Sequence, residues 1–150
     1  MIIAVDFDGT LCESAYPNIG GVMPGAKKSL EELREKGHYI IIWTCRTGEL
    51  LVNAINWLLE EGIPFDRVND HEPENLAIYG DGGKKVYANV YIDDKNLGGF
   101  PGWYETMRLL RAPPPHETER RRGGGGGGRP PPPPPPQVFA VRGILEVSLW

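Results

Sequence analysis

Residues 38–62, HYIIIWTCRTGELLVNAINWLLEEG, decide the fold. The apolar run from Tyr39 to Trp43 shows no period-two alternation, so it reads as a strand covered on both faces. The chain then turns, and apolar residues recur at Leu50, Leu51, Ala54, Ile55, Leu58 and Leu59, the stripe of an amphipathic helix over 48–61. Thr47 is the candidate N-cap, and Gly62 followed by Pro64 is the stop.

Working outward, Ile2 to Asp6 reads as a strand and Pro24 to Lys36 as a helix with Ala26, Leu30 and Leu33 on one face. After the second helix, FDRV (65–68) reads as a short strand. NDHEPENLAIYGDGGKK (69–85) reads as a long loop with at most one turn, YANVYID (87–93) as a further strand and GWYETMRLL (102–110) as a terminal helix. Strands alternating with helices, with continuous rather than alternating apolar runs, predict a three-layer α/β fold around a mostly parallel sheet. Such sheets bind ligands beyond the carboxyl ends of their strands.

This pattern ends near residue 111. Residues 112–137 carry a basic cluster, a glycine run and a proline run, a composition that cannot bury a core and reads as a disordered linker. Residues 138–150 form a short apolar segment to which the sequence assigns no task. Residues 1–111 hold 11 basic and 17 acidic side chains, a net charge of −6 that argues against a nucleic-acid surface. No apolar run reaches the roughly 18 residues of a membrane span, and Asp6 interrupts any signal-peptide core, so the expected compartment is the cytoplasm. Cys12 and Cys45 are expected to be reduced packing residues rather than a disulfide framework.

The polar residues directly after each strand are Asp6 and Asp8, then Thr44, then Asp93 and Asp94, all on one predicted sheet edge. Four carboxylates gathered there repel one another unless a hard cation neutralises them, and an all-oxygen donor set suits Mg²⁺. Lys85, just before the last strand, offers a second positive charge. Phosphoryl transfer through an aspartyl-phosphate requires a nucleophile, an acid/base group, charge neutralisation and donors for the phosphoryl oxygens. Asp6, Asp8, the metal with Lys85, and Thr44 are candidates for those four roles.

DFDGTL (6–11), IIIWTCR (40–46), a lysine ahead of VYANVYIDD (86–94) and that acidic pair resemble, in order, motifs I to IV of the haloacid dehalogenase superfamily, nearest to its small capless bacterial phosphatases. The resemblance spans about residues 1–111. It implies a Rossmann-like fold without a folded cap, with residues 12–24 leaving room for a flap only. It further implies Asp6 as nucleophile and Asp8 as general acid/base, with the Asp8 main-chain carbonyl on Mg²⁺. Thr44 and Lys85 would bind phosphate, Lys85 matching better than Lys84, and Asp94 would ligate the metal with Asp93 direct or through water. The implied activity is Mg²⁺-dependent hydrolysis of a small phosphorylated metabolite or nucleotide, in a site that is open unless subunits of a homo-oligomer cover one another.

Arg46 reads either as a solvated turn residue or as a substrate contact beyond the phosphate. Asp70, His71, Glu72 and Glu74 read as a solvated polar loop, and the proline run as a spacer or a ligand for an aromatic-lined groove. Two other functions remain open on the residues. A signalling receiver also uses an acidic metal pocket, but it would place an acidic pair first and Thr and Lys last. A non-catalytic scaffold would leave Asp6 and Asp8 without a task.

Overall fold

The structure, a computed structural model, describes residues 1–80 and 83–111, and the linker and apolar segment expected over 112–150 lie outside them. Its elements are β1 (Ile2–Val5), α1 (Ala26–Glu35), β2 (Tyr39–Ile42), α2 (Gly48–Glu60), β3 (Arg67–Val68), α3 (Pro73–Tyr79), β4 (Val90–Ile92) and α4 (Trp103–Arg111). The four strands form one sheet in the order β3-β2-β1-β4, and every pairing is parallel. This is an α/β Rossmann-like fold.

Connections from β1 to β2 to β3 run one way across the sheet, and β4 returns to the other side of β1. The switch point therefore lies between β1 and β4, where open parallel sheets place their ligands. Register fixes what stands there. Val5 pairs with Ile42 and with Ile92, so Asp6 and Asp93 emerge side by side, and the Asp6 N–H donates to the Ile92 carbonyl at 2.9 Å.

The two sheet faces are covered unequally. Ile3, Val5, Ile40, Ile42 and Ile92 pack with Leu30 and Leu33 of α1, Ala54 and Leu58 of α2, and Trp103 and Met107 of α4. Among the described residues, the opposite face buries Ala4 and Ile41 beneath Val86 and Ala88, on the chain leading from α3 to β4. In α2 the apolar period identifies the face but not every member. Leu59 is exposed, while Trp57 packs edge-on against Phe7 with ring centroids 5.4 Å apart.

Helix α3 falls inside the stretch expected to be loop. Its start is fixed by Glu72, whose carboxylate accepts from the Glu74 and Asn75 N–H groups at 3.1 and 2.6 Å, with Pro73 in the first turn. Helix α1 begins at Ala26, after Gly25 rather than at Pro24. Among the described residues no helix is long and apolar enough to cross a membrane.

Candidate active site

Three carboxylates converge at the switch point. Asp6, Asp93 and Asp94 each offer an oxygen, and these atoms lie within 4.8 Å of one another. Asp93 is anchored by the Lys95 N–H, which donates to its Oδ1 at 2.7 Å. Asp94 pairs with the exposed Lys95 ammonium. The buried Thr10 hydroxyl stands 3.5 Å from Asp6 Oδ2, and its carbonyl accepts from the Trp103 indole at 2.8 Å, which ties this turn to α4.

The electrostatics of the cluster are unfavourable for three negative charges. Burial, with the charges of Asp93, Asp94 and Asp8 behind it, pushes the Asp6 carboxyl up to about 7 against a bond from the Phe7 N–H that favours the charged form. A hard divalent cation fits an all-carboxylate donor set of this kind and would reverse the shift. Asp6, Asp93 and Asp94 are the residues that would hold it.

Asp8 points elsewhere. Its carboxylate lies outside the three-carboxylate group and receives Arg46 as a fork, Nε to Oδ2 at 2.8 Å and Nη2 to Oδ1 at 2.7 Å. The same guanidinium donates to the carbonyls of Pro17 and Asn18, at 2.9 and 2.7 Å. Arg46 is 1% exposed, so it is neither a solvated turn residue nor free to reach a substrate. The sequence could not show this, because every hydrogen-bond partner of the Arg46 guanidinium is at least 28 residues away along the chain.

Residues 13–21 form the flap expected between the first two motifs. It is closed at its base by the Glu13 N–H to the Gly21 carbonyl at 2.8 Å and the Met23 N–H to the Leu11 carbonyl at 2.9 Å. Residues 13–18 are exposed. No cap domain is present among the described residues.

Thr44 lies two residues beyond β2 on the same sheet edge as Asp6. Its backbone is gripped on both sides by Asn69, whose Oδ1 accepts from the Thr44 N–H and whose Nδ2 donates to the Thr44 carbonyl, each at 2.8 Å. The Thr44 Oγ accepts from the Arg46 N–H at 3.2 Å, leaving its hydroxyl proton to donate. Asn69 is a site residue that sequence reading passed over. Its signal is an asparagine directly after the short strand, where the backbone takes φ 50°.

Lys85 is not brought to the carboxylates. Its ammonium stands over the Tyr91 ring, 4.6 Å from the centroid, on the thinly covered sheet face. Burial of Val86 and Ala88 against Ala4 and Ile41 draws it there, and among the described residues it makes no ion pair. Lys84 is exposed. The cation at the cluster is Lys95, which sequence reading missed although it adjoins the acidic pair. Cys12 is buried, its thiol pushed up to about 11 chiefly by burial, whereas Cys45 is exposed rather than packed.

Gly9 allows the close approach of Asp94. Its φ is +82°, and a Cβ there would stand 2.7 Å from Asp94 Oδ2. Gly9→Ala is expected to cost about 1–3 kcal/mol through the left-handed backbone alone and to displace Asp94 from the cluster. Thermal denaturation with and without Mg²⁺ checks both, as a lower Tm and a lost metal-induced rise.

A conserved protein from Bacteroides thetaiotaomicron of known structure is 40% identical to this chain, with a TM-score of 0.65, over 75% of this chain and 93% of its own. The chain belongs to that protein's family. No protein-family model matches the sequence, and no curated protein does.

Proposed function

We propose that the protein is a Mg²⁺-dependent phosphomonoester hydrolase of the haloacid dehalogenase type, acting through phospho-Asp6 on a small phosphorylated metabolite or nucleotide. The observation that carries the reading is the meeting of Asp6, Asp93 and Asp94 at the β1/β4 switch point, with a separately held carboxylate, Asp8, two residues after Asp6. Mg²⁺, when bound by those three, supplies charge neutralisation for the nucleophile and the phosphoryl oxygens.

In the first step an Asp6 carboxylate oxygen attacks phosphorus and the bond to the leaving oxygen breaks, with Asp8 giving that oxygen a proton. In the second, Asp8 takes a proton from water as the water oxygen attacks the same phosphorus. Inorganic phosphate leaves and the Asp6 carboxylate is restored. The Thr44 hydroxyl, steadied by Asn69, donates to a phosphoryl oxygen. The Lys95 ammonium, paired with Asp94, is a cation beside the acidic pair. The cytoplasm is the compartment that suits this activity.

Phosphate release from 4-nitrophenyl phosphate should require Mg²⁺ and stop on chelation. Asp8→Asn should slow it by about 10²–10⁴-fold, the usual contribution of a positioned acid/base group. Equal release with and without the metal would remove the proposal.

A further inference from the structure

Arg46 has no part in the steps above, yet it is among the most completely buried side chains described, and four hydrogen bonds engage it. Two of these bonds go to Asp8 and two to carbonyls of the flap. Its guanidinium stands over the rings of both Phe7 and Tyr16, 5.2 and 5.3 Å from their centroids. Phe7 separates Asp6 from Asp8 in the chain, and Tyr16, Pro17 and Asn18 lie within the exposed part of the flap. One side chain thus holds the acid/base candidate and the segment nearest to it.

A single ammonium could not do this. Bidentate pairing with a carboxylate while further N–H groups reach two carbonyls requires the planar fork of arginine. Burial makes the arrangement demanding, because breaking one partner leaves polar groups unsatisfied.

We propose that Arg46 is a positioning residue that fixes the Asp8 carboxylate and the flap backbone at Pro17 and Asn18 as one unit, so that Asp8 and the flap meet the leaving group together. The inference rests on the reading of Asp8 as the acid/base group. Arg46 touches no reacting atom. It acts through Asp8, so its loss falls on the step in which the leaving oxygen needs a proton.

The test uses the full chain with Mg²⁺ and two probes, 4-nitrophenyl phosphate and phenyl phosphate, whose leaving groups need little and much protonation respectively. Arg46→Met is expected to lower kcat on phenyl phosphate by about 10²-fold or more and on 4-nitrophenyl phosphate by less than about tenfold. Placed on top of Asp8→Asn, it should cost nothing further. Amide exchange over residues 14–20 should quicken in Arg46→Met and in Arg46→Lys, the second variant carrying the test if the first does not fold. Equal losses on both probes, or full additivity with Asp8→Asn, would overturn the proposal. Wild-type protein inactive on both probes would count against the proposed function instead. Flap exchange then decides the coupling on its own, and an unchanged flap in both Arg46 variants refutes it.

Discussion

Asp6→Asn is expected to lower phosphate release on the order of 10⁴-fold or more, the scale on which loss of a covalent nucleophile acts, while making the metal-free protein more stable at pH 8. The two effects have one origin. Asp6 sits in a partly buried group of carboxylates that resists its ionisation, and this raises its carboxyl to about 7. At pH 8 the folded protein must carry that charge next to Asp93 and Asp94, and the isosteric amide removes it. At pH 4 both side chains are neutral in the fold, so the stability gain should vanish there. A substitution that merely damaged the fold would lower Tm at both values. Thermal denaturation at the two pH values, beside an assay of phosphate release, separates the explanations.

The second large effect couples metal, protons and stability. Asp6 has a folded value of about 7 against an ordinary 3.8, so between these limits the folded protein binds more protons than the unfolded chain. Metal-free stability contributed by this group therefore falls as pH rises from about 4 to about 7. Glu32 works in a separate window. Bonds from Lys36 and Arg111 hold its carboxyl down to about 2, so its contribution is present above about 4.5 and lost as pH falls below that. Mg²⁺ should raise Tm more at pH 8 than at pH 5, because at pH 5 the metal must first displace the proton on Asp6. Calorimetric titration in two buffers of different ionisation enthalpy should show protons released at pH 6 and almost none at pH 8.5. Asp93→Asn combined with Asp94→Asn should abolish both the metal-induced rise in Tm and the proton release. Identical metal stabilisation at pH 5 and pH 8 would contradict the assignment of Asp6 as a ligand.

The strands, and with them the carboxylates at their ends, were legible because a doubly covered parallel strand leaves an unmistakable apolar run. YIII at 39–42 and IIAV at 2–5 are such runs, and register then carries Asp6 and Asp93 to the same edge. Helix α3 was hidden for the opposite reason. It has no buried residue, so no apolar period marks it, and Glu72 is a less usual cap than Ser, Thr, Asp or Asn. The position of Lys85 over Tyr91 was not legible because sequence distance from the last strand does not say which sheet face the chain crosses. Here Val86 and Ala88 commit it to the face away from the main core. Arg46 was legible as a residue beside the site but not as a buried one. A guanidinium enters a core only when distant groups supply its partners, and Asp8, Pro17 and Asn18 come together around it only in the fold.

Attack by Asp6 is tested most directly by trapping the covalent species. The full chain is mixed with Mg²⁺ and a phosphomonoester that it hydrolyses, quenched in acid during turnover, reduced with borohydride and digested for mass spectrometry. An acyl phosphate at position 6 is reduced to homoserine there, and this product should appear with substrate and Mg²⁺ together and be absent when either is omitted. Hydrolysis that proceeds while Asp6 is recovered unmodified, or with the reduced residue at Asp8, Asp93 or Asp94 instead, would contradict the mechanism.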